Sequence, residues 1–178
     1  MESKFTKSLR NKGTENRGLA LLLTDSRFQR IDVRTKRRIL ELIGIDGAFG
    51  TRTFDAIVTD APTERIDVDN VDDHFAQLRL VEMKSTRKPI RNAALSGFFF
   101  GATQREYDMA EALGDKYLFA FVVHNSENDY ERPFAVLLSL PEVEARTRTK
   151  RVQFQVNFHS DIEPPSAPET LIVFQPEG

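Results

Sequence analysis

The sequence predicts an α/β fold in which helices flank a mixed β-sheet. The segment 117–123, YLFAFVV, is a nearly unbroken apolar run of the kind that forms a strand buried on both faces. A helix-like segment separates it from an earlier apolar segment at 77–84, and strand, helix and strand in this order indicate a crossover connection. A chain of 178 residues, of which 40% are hydrophobic, is long enough for one domain with a sizeable core.

Two segments near the start of the chain have helical patterns. Residues 14–28 are rich in leucine, and Thr14 is a suitable N-cap for a helix there. A second helix is predicted over 33–43, because Asp32 can cap its start and Gly44 can end it. The apolar face of this second helix consists of Val33, Leu40 and Ile43.

The predicted crossover helix, 104–113, has the clearest boundary signals in the sequence. Thr103 and Glu106 have the spacing of a capping box, in which each side chain bonds to the backbone N–H of the other residue. Gly114 is suited to end this helix. Its apolar stripe consists of Tyr107, Ala110 and Leu113. A shorter helix is predicted over 141–147, with a proline in its first turn.

Alternating or continuous apolar residues predict the strands of the sheet. Strands are expected at 51–60, 77–84, near 96–100, 117–123 and 134–140. In the first of these strands, Phe54, Ala56 and Val58 are expected to lie on one side. Further along, 152–158 alternates apolar with polar residues, and 171–174 is a candidate edge strand.

The charge and cysteine content exclude several classes of function. A net charge of -2 excludes a uniformly basic surface, so a phosphate-binding site must come from local clusters such as 34–38, 87–91 and 146–151. The absence of cysteine excludes disulfides, cysteine-bound zinc and a thiol nucleophile, and it fits a reducing cytoplasm. No stretch resembles a signal peptide or approaches the roughly 20 apolar residues of a membrane span. We therefore expect a cytoplasmic protein without a membrane partner.

The strand at 77–84 ends in an uncommon way for a buried strand. Its side chains alternate between two faces, and one face begins apolar and turns ionic. That face consists of Leu78, Leu80, Glu82 and Lys84. Polar residues and a basic loop follow directly, so the charged pair should lie at a rim of the sheet. The pair is a candidate site, and a surface ion pair at a strand end is the alternative.

Residue types around this pair are suited to metal-assisted hydrolysis of phosphodiesters. Mg²⁺ prefers oxygen ligands, usually one or two carboxylates together with waters, and Mn²⁺ is an expected substitute. Glu82 can supply one carboxylate, and Asp55 can supply the other if the two strands that carry them pair. The backbone carbonyl of Met83 can complete the ligand set. Lys84, beside the metal, can orient or deprotonate the attacking water.

The same residues carry a resemblance to a known family. Asp55, followed after a gap by Glu82-Met83-Lys84, resembles the Asp…(Asp/Glu)-x-Lys signature of the PD-(D/E)xK phosphodiesterase superfamily. VEMKST followed by TQREYDMAEALGDKYLFAFVV is similar to a branch found in restriction-type and helicase-associated proteins. The likeness covers residues 32–124. It implies a restriction endonuclease-like αβββαβ core, whose three consecutive strands would be the first three predicted above.

The resemblance implies a Mg²⁺-dependent DNA endonuclease of restriction or genome defence, with Asp55, Glu82 and Lys84 in catalysis. It also implies that Glu41, on the second predicted helix, assists the metal; a solvated helix face is the alternative. Glu106 is implied to approach the site as well, although the capping box alone explains it. Cutting both DNA strands would favour a homodimer, and the branch implies a larger restriction or helicase assembly.

Three basic residues, Arg87, Lys88 and Arg91, follow the motif and are predicted to bind phosphates beside the scissile bond. An ordinary surface loop is the alternative. The three phenylalanines at 98–100 are expected in the core rather than stacked on bases. The three histidines are scattered, without the spacing of metal ligands.

Other functions stay open at this point. A nuclease-fold domain that binds nucleic acid or a protein partner without cutting would have the same pattern, and an unrelated α/β domain would contain the triplet by chance. RNA is an alternative substrate, because phosphodiester chemistry does not distinguish it from DNA. We expect one nuclease-like domain over 1–178, with an N-terminal helical extension (1–31), a core (32–124) and C-terminal strands and tail (125–178).

Overall fold

The computed structural model describes residues 4–45 and 50–149, with side chains from residue 13 onward. The strands predicted at 152–158 and 171–174 lie outside the described residues. The chain divides into two units, Met1–Thr147 and Arg148–Gly178, and the description that follows concerns the first.

Helices and strands alternate along this unit. The helices are α1 (Lys4–Leu22), α2 (Val33–Ile43), α3 (Val71–His74), α4 (Gln104–Leu113) and α5 (Leu140–Arg146), and a single 3₁₀ turn, Gly114–Lys116, follows α4. The strands are β1 (Phe28–Gln29), β2 (Ala56–Thr59), β3 (Leu78–Thr86), β4 (Tyr117–Val123) and β5 (Phe134–Leu138).

The five strands form one mixed sheet in the order β1-β2-β3-β4-β5. Strands β1, β2 and β3 are successively antiparallel, and Ala56 lies opposite Val81 in the second pair. Strand β4 runs parallel to β3, with Glu82 opposite Phe119, and β5 is antiparallel to β4. The predicted α/β class with a mixed sheet is confirmed, and so is the crossover through α4.

Each face of the sheet packs against helices. Helix α1 covers one face, where its leucines contact a buried cluster that includes Val81, Met83 and Val122. Helices α2, α4 and α5 supply Ile39, Met109 and other residues to the larger core on the opposite face. Since strand side chains alternate, Glu82 and Lys84 lie on the face of the larger core.

The predicted helix boundaries agree best with the structure where capping residues mark the ends of the helix. Asp32 caps α2 by accepting a hydrogen bond from the backbone N–H of Thr35, and Gly44 ends that helix in the left-handed conformation. Thr103 and Glu106 form the predicted capping box of α4. Val33 was wrongly assigned to the apolar face of α2, since it is 51% exposed. Ile39 is buried instead, because packing selects a slightly rotated face of the helix.

The first helix was predicted with the wrong start. Helix α1 begins at Lys4, well before Thr14, and it ends at Leu22. Gly18 lies within the helix and close to β3. A Cβ at Gly18 would lie 2.8 Å from Cβ of Ser85 and 2.9 Å from Sδ of Met83.

Three strand predictions were also wrong in extent or existence. The strand expected at 51–60 is confined to β2. Phe54 was expected on the same side as Ala56, but it packs into the larger core, whereas Ala56 belongs to the cluster on the opposite face. The described residues 96–100 do not form the strand that was expected there. Leu95 and Gly97 have positive φ angles of 59° and 81°, which interrupt an extended backbone. The strand expected at 77–84 continues to Thr86.

Among the helices of the described part of the chain, none is long and apolar enough to cross a membrane.

Candidate functional site

The candidate site lies where β2 begins and β3 ends. Asp55 directly precedes β2, and its backbone N–H donates to the carbonyl of Val81 at 2.8 Å. Its carboxylate oxygen Oδ2 accepts a hydrogen bond from the backbone N–H of Met83 at 3.0 Å. The N–H and C=O of one strand residue point to the same side, so the Met83 carbonyl also faces the Asp55 edge of β3.

Lys84 links two acidic side chains at this rim. Its Nζ donates to Oε1 of Glu82 and to Oε2 of Glu106, each at 2.8 Å. All three side chains are almost fully enclosed, and the whole Glu82 residue is only 7% exposed. Buried charges are costly unless they are paired, so this cluster is held together by its own ion pairs.

Glu106 has a structural and an electrostatic role at the same time. Its carboxylate accepts from the backbone N–H of Thr103 at 2.9 Å, which completes the capping box of α4. The same oxygen, Oε2, accepts from Lys84. The start of α4 is thereby tied to the end of β3.

The burial of this cluster changes the acidity of its members. Burial raises the pKa of Glu82 to about 8, assisted by the charges of Asp55 and Glu106 and opposed by Lys84. For Lys84, burial lowers the pKa, but the charge of Glu82 and the hydrogen bonds to both glutamates outweigh that effect, so the net shift is upward. The raised pKa therefore moves the titration of Glu82 from the acidic range towards neutrality.

A second lysine near the site was not predicted. Lys36, on α2, donates to the backbone carbonyl of Phe54 and lies 4.6 Å from the centroid of the Phe54 ring. Burial lowers its pKa, while the charges of Asp55 and Glu82 act in the opposite direction. The sequence contained a signal for it: Lys36 stands three and four positions before Ile39 and Leu40, so it continues the buried face of the helix.

Tyr117, on β4, lies close enough to these charges to be affected by them. Its hydroxyl donates to the backbone carbonyl of Thr53, and the residue is fully buried. Burial raises the pKa of Tyr117, and the charges of Glu82, Glu106 and Asp55 raise it further. The sequence placed this residue at the start of a buried strand without indicating its contact with the site.

A cleft of about 970 Å³ opens over the cluster. Asp55, Glu82, Lys84 and Glu106 lie in its wall. Its remaining lining includes Thr14, Glu15, Arg87, Lys88, Phe99 and Phe100. The four acidic and basic side chains are therefore reachable from solvent on one side, although each is largely enclosed.

A smaller cleft of about 490 Å³ shares Asp55 with the first. Its lining includes three basic residues, Arg30, Lys36 and Arg52. Basic side chains thus lie on both sides of Asp55, since Arg87 and Lys88 line the larger cleft.

Some of the predicted site residues lie elsewhere. The Glu41 side chain is 65% exposed and pairs with Arg38 at 3.3 Å, and it is not in the lining of either cleft. Arg91 is also outside both linings and pairs with Asp129 at 3.0 Å. Helix and loop geometry direct these two side chains away from the rim of the sheet.

The carboxylates of Asp55 and Glu82 are the groups suited to hold a divalent cation. In the described ranges 4–45 and 50–149, no group of three or more His, Cys, Asp or Glu side chains could hold a metal ion. A cation at this rim would therefore depend on two carboxylates, the carbonyl of Met83 and water. That oxygen-only set fits Mg²⁺, which keeps several of its waters in protein sites.

No protein-family model matches the chain, and neither a curated protein nor a solved structure gives a significant match.

Proposed function

We propose that the protein is a Mg²⁺-dependent nuclease that hydrolyses phosphodiester bonds of DNA. The observation that carries the proposal is the convergence of Asp55, Glu82 and Lys84 at one rim, with the Asp55 carboxylate bonded to the backbone between the other two. This is the arrangement that the PD-(D/E)xK signature requires from residues far apart in sequence.

The order of the elements supports a restriction endonuclease-like core. Helix α1, strands β1, β2 and β3, helix α4 and strand β4 follow one another in an αβββαβ order, with α2 and α3 as connections. Helices α1 and α4 lie on opposite faces of the sheet. With these elements, the three consecutive strands of the core are β1, β2 and β3. The segment near 96–100, which was expected to be the third of them, is not one of these strands.

A bound divalent cation would neutralise charge on the scissile phosphate and make an attacking water more acidic. Asp55, Glu82 and the Met83 carbonyl would hold it. Lys84 would hold and orient the water rather than remove its proton, because its raised pKa keeps the ammonium charged near neutral pH. Glu106 keeps the Lys84 ammonium in place through the 2.8 Å hydrogen bond.

The basic residues support a nucleic acid as the substrate, and the resemblance favours DNA. Arg87 and Lys88 line the cleft beside the acidic cluster, where they would bind phosphates that flank the scissile bond. A restriction or genome-defence setting, a homodimer that cuts both strands, and a larger restriction or helicase assembly are parts of the same proposal. RNA is the alternative substrate.

The test is cleavage of supercoiled plasmid and of circular single-stranded DNA in Mg²⁺, Mn²⁺ or EDTA. We expect metal-dependent products from the unmodified protein and a loss of at least about 100-fold in Glu82→Gln and Lys84→Ala. Glu41→Gln is the matched control, since it removes the same charge from an exposed side chain outside the clefts. Unchanged cleavage by Glu82→Gln would contradict the assignment.

One observation favours a second function, a domain that binds nucleic acid or a partner without cutting it. Lys84 is already bonded to both glutamates, so the ammonium compensates the buried acidic side chains in the absence of a cation. Such a cluster can persist without a metal. Retention of DNA in a gel-shift, with no cleavage in either metal, would favour this function.

A further inference from the structure

Phe99 is the most exposed large hydrophobic residue among those described. It is 81% exposed, whereas the phenylalanines on either side of it are partly buried. We expected all three phenylalanines at 98–100 in the core, and Phe99 corrects that expectation. An aromatic ring left in water forgoes the free energy of burial, which contact with a ligand would recover.

The loop around Phe99 holds the ring outward. The Phe98 ring packs edge-on against Phe121 at a centroid distance of 5.2 Å, and the Phe100 ring does so at 5.0 Å. Phe98 and Phe100 both pack against the ring of Phe121 on β4, so the residue between them points away from the sheet. Phe99 is therefore presented to solvent by a packed loop rather than by a free chain end.

The ring is presented inside the cleft of the candidate site. Phe99 lines the same cleft as Glu82 and Lys84, and the basic residues Arg87 and Lys88 line it too. Within the described residues, neither of these two basic side chains forms an ion pair with an acidic residue. A ligand that contacts both the Phe99 ring and these basic side chains would carry a flat apolar group and negative charge.

A nucleic acid strand with an unpaired base has both features. Its phosphates fit the basic residues, and the face of a base can stack on an aromatic ring. Within a duplex the faces of each base are covered by its neighbours, so this contact needs a single strand or a base displaced from the helix.

We propose that Phe99 stacks on an unpaired base of the DNA strand whose phosphate lies at Asp55 and Glu82. The inference rests on the proposed nuclease function and refines its substrate class to single-stranded or locally unpaired DNA. Phe99 is then a specificity-determining residue rather than a catalytic one.

The chain has no tryptophan, so Phe99→Trp introduces a single fluorescent reporter at this position. The variant is titrated in EDTA with a single-stranded oligonucleotide, with an abasic strand of the same length, and with a blunt duplex. Tyr130→Trp is the matched control, because Tyr130 is an exposed aromatic residue (45%) that does not line the cleft.

We expect strong quenching of Phe99→Trp by the base-bearing strand, little by the abasic strand or the duplex, and no comparable response of Tyr130→Trp. Phe99→Ala should weaken binding of the single strand by about 5- to 150-fold. Equal responses to base-bearing and abasic strands would overturn the stacking contact, because phosphates alone would then explain binding.

The two proposals fail in different ways. If the unmodified protein cuts circular DNA but Phe99→Trp does not respond to the base-bearing strand, the stacking inference is overturned and the nuclease stands. If base-dependent quenching occurs but no metal supports cleavage, the nuclease is overturned and the base contact is supported.

Discussion

The ammonium of Lys84 and the carboxylate of Glu106 are joined by a hydrogen bond of 2.8 Å between Nζ and Oε2. This bond connects the last part of β3 to the first turn of α4. The same Glu106 oxygen accepts the backbone N–H of Thr103 at 2.9 Å. The position of the helix and the position of the candidate catalytic lysine therefore depend on one side chain.

Replacing Glu106 should separate its two roles. Glutamine can take the place of glutamate in a capping box, so Glu106→Gln should retain the cap and lose only the charge that compensates the Lys84 ammonium. Glu106→Ala should lose about 0.5–2 kcal/mol more folding free energy, because the cap is removed. Both variants should cleave DNA about 10- to 100-fold more slowly, since the Lys84 ammonium loses a charged partner. Urea unfolding and initial cleavage rates provide the two measurements, and full activity in Glu106→Gln would contradict the electrostatic role.

Glu82 should make the metal-free protein less stable as the pH rises. Burial raises the pKa of Glu82 to about 8 from an ordinary value of 4.5. Between these values the folded protein retains a proton that the unfolded chain has released, so the stabilisation is complete below the lower value and is lost as pH rises through the higher one. The expected loss is on the order of 2–4 kcal/mol.

The measurement is urea unfolding in EDTA at several pH values between 5 and 8.5. Glu82→Gln cannot titrate, so its stability should fall less over this window than that of the unmodified protein. Glu41→Gln, altered at an exposed position, should retain the original pH dependence. Identical profiles for Glu82→Gln and the unmodified protein would contradict the raised pKa.

Metal binding should stabilise the protein more at high pH. In the proposed site a cation would be held by the ionised form of Glu82, and that form increases as the pH approaches and passes about 8. A ligand at 100 times its dissociation constant adds about 2.7 kcal/mol to the folded state. We expect the melting temperature shift caused by Mg²⁺ to be larger at pH 8.5 than at pH 6 and to vanish in Asp55→Asn. An equal shift in that variant would place the cation elsewhere.

Two glycines of α1 should respond in opposite ways to substitution by alanine. Alanine favours a helix over glycine by about 1 kcal/mol. At Gly13 the nearest atom to an added Cβ is Nη2 of Arg87, at 3.6 Å, so Gly13→Ala should stabilise the protein by about 0.5–1 kcal/mol. At Gly18 the Cβ would lie 2.8 Å from Ser85, and the resulting overpacking, about 1–3 kcal/mol, should outweigh the helical gain.

Chemical denaturation of the two variants and the unmodified protein tests this pair. Stabilisation by both substitutions would mean that α1 does not approach β3 as closely at Gly18 as the structure describes.

Arg87 and Lys88 should contribute to the salt dependence of DNA binding. Each phosphate contact releases a counterion, so removing one basic side chain should reduce the slope of log affinity against log salt by about 0.7–0.9. Arg91→Ala is the control, because Arg91 lies outside the cleft and pairs with Asp129 at 3.0 Å. Binding curves at several salt concentrations in EDTA provide the slopes. A larger change for Arg91 than for Arg87 would contradict this interface.

Local signals were sufficient for much of the secondary structure. Asp32 and Gly44 set the ends of α2, and Thr103 with Glu106 set the start of α4, because caps depend on neighbours within one helical turn. The continuous apolar run of β4 predicted its burial on both faces. The strand expected near 96–100 failed because three phenylalanines fit a strand or a packed loop equally well, and only the left-handed backbone at Leu95 and Gly97 distinguishes the two.

By itself, the sequence determined the limits of α2, α4 and β4, since short-range bonding and a continuous apolar run decide them. It also placed Glu82 and Lys84 on one strand face. Only the tertiary structure decided that Lys36 lies with Asp55 in the lining of the smaller cleft, that Glu106 bonds to Lys84, and that Phe99 lines the larger cleft while Glu41 does not. Those contacts join separate elements, and because one residue along a helix turns a side chain by about 100°, they depend on how each helix packs against the sheet.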